Sequence, residues 1–74
     1  MKLILHRDRE ERINMSNIRF ILDLEMWNTE EDKTTLSLDT SSNVLQDVNK
    51  RREARKLIEE IKDRAVSLFN LLNS

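Results

Sequence analysis

The sequence has no cysteine, glycine, proline or tyrosine, and only 4% of its residues are aromatic. Without cysteine, neither a disulfide nor a thiolate metal site can stabilise the chain. Without glycine, it cannot form the glycine-rich loops that cradle phosphates in nucleotide-binding enzymes. A single histidine leaves few side chains for nucleophilic or acid–base catalysis. The composition therefore favours a protein that is not an enzyme and uses neither a metal nor an organic cofactor.

The chain also lacks a long apolar run and an excess of charge of either sign. Its 13 basic and 14 acidic residues give a net charge of −1, which exerts no general attraction on nucleic acid. No apolar run approaches the roughly 18 residues of a membrane span, and the apolar start over 1–5 is too short for a signal peptide. We therefore expect a cytoplasmic protein with no membrane partner, forming one small domain over 1–74.

Alternating apolar residues predict a β-strand in the middle of the sequence. Every second position of this segment is apolar, namely Ile18, Phe20, Leu22, Leu24 and Met26. A helix would scatter these side chains around its axis, whereas a strand directs them all to one face. The polar residues 28–32 then predict a turn, and Leu36 and Leu38 continue the alternation beyond it. The pattern predicts a β-hairpin over 18–39.

The register of this hairpin follows from the same pattern. A turn centred on Glu30 sets Leu24 opposite Leu36, so that both strands keep their apolar residues on one face. It also sets Trp27 opposite Lys33, either as a cation–π pair or as an amphipathic aromatic residue at a strand end.

An additional N-terminal strand is predicted over 2–6, where three consecutive apolar residues suggest burial on both faces. Its neighbours in the sheet are left open by the sequence. The alternating charges of 7–12 predict a solvated loop or a single helical turn. His6 is interpreted as a solvated or core-edge side chain, because no second catalytic residue is spaced to meet it. A metal cluster of His6 with the acidic residues of 8–11 is opposed by the arginines that flank them.

A long amphipathic helix is predicted over 43–72, with Asn43 and Gln46 as its capping box. Its apolar positions recur at spacings of three and four residues, which is the pattern of a helix that buries one face. These positions are Ala54, Leu57, Ile58, Ile61, Ala65, Leu68, Phe69 and Leu72. Lys50 and Arg51 interrupt the pattern, so the helix either bends near 49–53 or directs its first turns to a different surface.

Self-association is expected from the length of this helix. Thirty residues would extend roughly 45 Å, whereas a nine-residue strand covers about 30 Å, so the end of the helix would overhang the sheet. We expect the exposed end to form an oligomer interface, through Ile61, Ala65, Leu68, Phe69 and Leu72. Either the C-terminal helices pair in antiparallel fashion, or the hairpins join edge to edge.

A basic segment over 50–56 is the main candidate for ligand or partner binding. Its basic residues are Lys50, Arg51, Arg52, Arg55 and Lys56. Arginine guanidinium groups suit nucleotides, phosphates and carboxylates, and Trp27 is an additional candidate contact. Around a helical wheel the five cations spread over more than half of the circumference, which is less suited to a nucleic-acid surface.

An amphipathic hairpin followed by a helix containing residues 53–60 is similar to many small proteins of phages and other mobile elements. The resemblance implies an accessory or counter-defence factor, and it carries no specific residue roles. We expect a homo-oligomeric binding protein that inhibits a host protein or sequesters a small anionic ligand. The alternatives are a nucleic-acid-binding regulator that uses the basic segment and a purely structural subunit.

Overall fold

The computed structural model describes residues 2–43 and 46–74 as a three-stranded antiparallel sheet with one C-terminal helix. Strands β1 (Lys2–Arg12), β2 (Ile18–Trp27) and β3 (Lys33–Ser42) lie in the order β1-β2-β3, and helix α1 (Val48–Leu72) follows. The predicted α+β fold is confirmed. The N-terminal strand pairs with β2 rather than β3, so β2 is central and both other strands are edges.

The hairpin register matches the prediction. Leu24 lies opposite Leu36, and Trp27 lies opposite Lys33. The Lys33 Nζ is 5.4 Å from the centre of the Trp27 ring, so the cation–π arrangement is present. The pairing continues beyond the predicted end, as far as Ile18 opposite Ser42.

Strand β1 is longer than predicted, because residues 7–12 continue it instead of forming a loop or helical turn. The register shifts between Leu5 and Arg7, which is the mark of a β-bulge. Before the shift, Leu5 shares the face of Leu24, and after it Asp8 shares the face of Leu22. The charged residues of 7–12 therefore point alternately to the two faces of the sheet. Their residue types have low strand propensity, which is why the sequence did not predict a strand here.

Helix α1 begins at Val48, five residues later than predicted. Asp47 is its N-cap, with a carboxylate oxygen that accepts a hydrogen bond from the Lys50 backbone N–H at 3.1 Å. Asn43 does not cap the helix, because pairing with β2 keeps the chain extended as far as Ser42. The predicted helical positions Val44 and Leu45 lie outside the described residues. The helix is continuous through 49–53, so it does not break there, and of its first turns Arg51 contacts β1.

The hydrophobic core lies between α1 and one face of the sheet. The most deeply buried side chains of this face belong to β2, with Leu22 at 0% exposure, and Ile58 and Ala65 of the helix pack against them. Leu36 and Leu38 of β3 are partly buried against the same cluster. Among the described residues, no helix is long and apolar enough to span a membrane.

Two ion pairs link α1 to the β1 side of the sheet. The Lys62 ammonium donates to the Asp8 carboxylate at 2.5 Å and to Glu59, and the Arg51 guanidinium donates to Glu10 at 2.7 Å. The hydrogen bonds that Lys62 donates to Asp8 and to Glu59 raise its pKa. These pairs explain why acidic residues are found on the helix-facing side of β1.

The residues expected at an oligomer interface divide into two groups. Ala65 is 7% exposed and belongs to the intrachain core, and Phe69 is partly buried. Ile61, Leu68 and Leu72 remain exposed. With 25 residues, α1 extends about 38 Å, closer to the roughly 33 Å of β2 than the predicted 30-residue helix would be, so the overhang is smaller than expected.

Candidate functional site

Three arginines near the start of α1 line a shallow concavity of about 450 Å³. Arg51, Arg52 and Arg55 form its basic wall, and Val48 and Glu10 complete the lining. The helix supplies four of these residues, whereas Glu10 comes from β1. We refer to this concavity, defined by these five residues, as the arginine site.

The arginines of this site are not equally neutralised. Arg51 donates to Glu10, whose side chain is 16% exposed. Within residues 2–43 and 46–74, neither Arg52 nor Arg55 has a carboxylate at ion-pair distance. Glu59, one helical turn after Arg55, pairs with Lys62 instead. The guanidinium groups of Arg52 and Arg55 are therefore the least compensated charges of the site.

The position of the cations on the helix adds to the positive potential. Asp47 caps the N-terminal end of α1 and offsets part of its partial positive charge, and the first turn contains no further acidic residue. Arg51 and Arg55 are also spaced by four residues, and like charges at that spacing repel each other on a helix. An anion bound here would relieve this repulsion.

The other two cations of the basic segment do not join the site. At 3.6 residues per turn, Lys56 follows Arg51 by about 140° around the helix axis, and Lys50 lies on the opposite flank from Arg55. Both are exposed, and neither lines the concavity. The structure thus brings together three of the five basic residues that the sequence singled out.

Trp27 is distant from the arginine site. Glu10 pairs with Phe20, and Trp27 follows Phe20 by seven residues on β2, or about 23 Å of extended chain. The Trp27 indole N–H donates to Glu25 at 2.5 Å, and Lys2 lies 5.9 Å from the ring centre on the β1 side. This hydrogen bond is the largest contribution to the lowered pKa of Glu25. Trp27 therefore cannot contact a ligand held in the arginine site, and its end of the sheet is a separate surface.

The face of the sheet opposite α1 carries a network of exposed ion pairs. Arg19 donates to both carboxylate oxygens of Asp39, and this hydrogen bonding raises the pKa of Arg19 and lowers that of Asp39. Asp23 accepts from Ser37 and from Arg7, in that order of influence, and its pKa is lowered. Because opposite charges are matched across neighbouring strands, this face has few uncompensated groups for a ligand.

No group of acidic, histidine or cysteine side chains suited to a metal ion occurs among the described residues. His6 is half exposed and its Nε2 lies 3.2 Å from Glu25. The carboxylates of Asp8 and Glu10 are engaged by Lys62 and Arg51. His6 therefore lies at the solvated surface of the sheet, beside Glu25.

Glu10 and Val48 are residues of the arginine site that sequence reasoning missed. The signal for Glu10 was the charge alternation of 7–12, which the β-bulge converts into two charged faces.

No family model, curated protein or solved structure matches the chain.

Proposed function

We propose that the protein is a non-catalytic binding protein of the cytoplasm that holds the phosphate or carboxylate groups of a small anionic ligand in the arginine site. The observation that carries this proposal is the pair Arg52 and Arg55, which lines a concavity along the first turns of α1 without a carboxylate partner among the described residues. A counter-defence role would consist of sequestering such a ligand.

Arginine is the side chain best suited to this task. Its planar guanidinium offers five N–H donors in a fixed geometry and forms paired hydrogen bonds with phosphate or carboxylate oxygens. Glu10 holds Arg51 in place at 2.7 Å, which pre-organises one wall of the site before the ligand arrives. Val48 adds an apolar contact, since it is 56% exposed and lines the same concavity.

The nucleic-acid alternative requires a broader surface. A phosphate backbone would contact cations along one continuous stripe, whereas Lys50 and Lys56 lie on other sides of α1. We therefore favour a compact ligand with one or two anionic groups over a duplex. An acidic patch on a host protein is a different partner class, and the test below separates it.

The test is an NMR titration of the isotope-labelled protein with pyrophosphate, citrate and a short DNA duplex in turn. We expect pyrophosphate or citrate to shift the backbone resonances of residues 48–55 saturably. The double variant Arg52→Gln, Arg55→Gln should lose this binding. The matched control, Lys50→Gln with Lys56→Gln, removes the same charge from the same helix and should retain it.

Other results would contradict the proposal. Equal losses in both double variants, together with tighter binding of the duplex and a steep salt dependence, would favour the nucleic-acid-binding regulator. The absence of any saturable shift with the two small anions would refute the anion site. In that case, binding of an acidic peptide would indicate a host protein as the partner.

A further inference from the structure

We propose that the β3 edge and an adjoining leucine stripe of α1 bind a second copy of this chain. The stripe consists of Leu57, Ile61, Leu68 and Leu72, which are 37% to 54% exposed. The proposal does not depend on the arginine site, which lies toward β1 on the opposite flank of α1.

The two edge strands differ in their capacity to pair with another strand. Strand β1 contains a bulge and six consecutive charged residues over 7–12, and both features discourage pairing at an edge. Strand β3 pairs regularly along its whole length, and its segment 34–38 is composed only of threonine, leucine and serine. The β3 edge is therefore the better acceptor of another strand.

The exposed apolar flank of α1 lies on the same side of the sheet as the β3 edge. Lys62 and Arg51 bond to β1, which fixes the flank of the helix that faces β1. On a helical wheel the leucine stripe lies on the other side of the buried residues Ile58 and Ala65, above the β3 side of the sheet. Leu36 and Leu38 of β3 share this face and are partly buried. The apolar surface thus continues from the helix to the strand edge.

The spacing of a joined sheet suits the two helices. If two β3 strands pair, the two β2 strands lie three strand spacings apart, or about 14 Å. Each helix packs over its own β2 and has a diameter of about 10–12 Å with side chains. The helices would therefore fit side by side on one face, with the leucine stripes filling the space between them.

The area of the isolated chain also supports a partner of this kind. A folded monomer of 8.9 kDa is expected to expose roughly 4,800 Å², whereas this chain exposes 5437 Å². Its radius of gyration is 14.5 Å, against about 11 Å for a compact domain of this length. The excess of roughly 600 Å² approaches the area of about 800 Å² that each partner buries in a standard interface.

Charge complementarity selects the register. With Leu36 on a two-fold axis, Lys33 lies opposite Asp39 of the second copy, and the same pair repeats on the other side of the axis. With Ser37 on the axis, Asp39 would oppose Thr35 instead. We assign the first register, in which Asp39, bonded to Arg19 within its own chain, also meets Lys33 of the second copy on each side of an apolar centre.

The first experiment measures the mass of the protein in solution by light scattering and native mass spectrometry over a range of concentrations. We expect twice the 8.9 kDa of the chain. The double variant Leu57→Lys, Leu68→Lys should be a folded monomer. Leu71→Lys, at a 70% exposed position outside the stripe, and Leu5→Lys, at a 50% exposed position on β1, are matched controls that should remain dimeric.

Amide hydrogen exchange on the unaltered protein tests the strand edge without any substitution. The β3 amides that do not bond to β2 should be protected, whereas the outward amides of β1 should exchange rapidly. A monomer at every concentration would overturn the proposal. So would a dimer that Leu5→Lys dissociates and the stripe variant does not, or rapid exchange of all outward β3 amides in a dimer.

A cysteine scan tests the register, because the chain has no cysteine of its own and a single introduced thiol can pair only with the second copy. We expect Leu36→Cys to form a disulfide-linked dimer under mild oxidation, and Ser37→Cys to form much less of it. Efficient cross-linking of Ser37→Cys and not of Leu36→Cys would overturn the assigned register.

Discussion

Replacing Leu22 by alanine should remove a large part of the stability of this domain. Leu22 is 0% exposed, lies on the central strand and faces α1, so its side chain has no access to water. A Leu→Ala change removes three carbon atoms, which corresponds to about 2.4 kcal/mol of transfer free energy. The cavity left between sheet and helix adds to this value, and we expect a total loss of about 3–4 kcal/mol.

This loss is large for a chain of 74 residues. Domains commonly have a free energy of unfolding near 0.05–0.15 kcal/mol per residue, or about 4–11 kcal/mol at this length. The matched control is Leu71→Ala, at a 70% exposed position outside the proposed dimer interface, where we expect a loss below about 1 kcal/mol. The two variants change the same side chain in opposite environments.

Urea unfolding measures both losses, with circular dichroism following the helix and Trp27 fluorescence following the end of the sheet. Both signals should report one transition, whose midpoint falls strongly for Leu22→Ala and little for Leu71→Ala. Equal and small losses in the two variants would refute the packing of α1 over β2. Separate transitions for helix and sheet would refute the single cooperative core.

Three further predictions address other parts of the molecule. Leu24→Asp places a charge in the same core, and we expect a chain without cooperative unfolding by circular dichroism; a folded variant would show that this face admits water. The lowered pKa values of Asp23, Glu25 and Asp39 mean that stability is present above about pH 4 and declines as the pH falls through the folded values; a urea midpoint unchanged from pH 7 to 3 would contradict this. Leu72→Asp should leave the circular dichroism spectrum largely unchanged but lower the mass of the assembly; unfolding would instead place this end of α1 in the intrachain core.

The hairpin was predictable from sequence because its information is local. Five alternating apolar residues and a polar turn specify which face is buried, and a slip of one residue would expose that face. The pairings of Leu24 with Leu36 and of Trp27 with Lys33 follow directly. No contact with the rest of the chain is needed to derive them.

The second half of β1 and the start of α1 were not predictable for different reasons. Residues 7–12 form a strand because their charges find partners across the sheet and on the helix, and such partners are remote in sequence. At the helix start, both Asn43 and Asp47 are of residue types that commonly cap helices. Pairing of Ser42 with Ile18 excludes the first and leaves Asp47 as the cap.

The β-bulge in β1 connects the fold to the candidate site. Without the register shift after Leu5, Arg7 and Arg9 would take the helix-facing positions and meet Arg51 and Lys62 with like charge. With the shift, Asp8 and Glu10 occupy those positions and bond to these two cations. The same irregularity therefore attaches the helix, disfavours pairing at the β1 edge and supplies the carboxylate that orients Arg51. Because Glu10 engages only Arg51 among the described residues, the charges of Arg52 and Arg55 stay available for the proposed anion, and the regular β3 edge stays available for the proposed second chain.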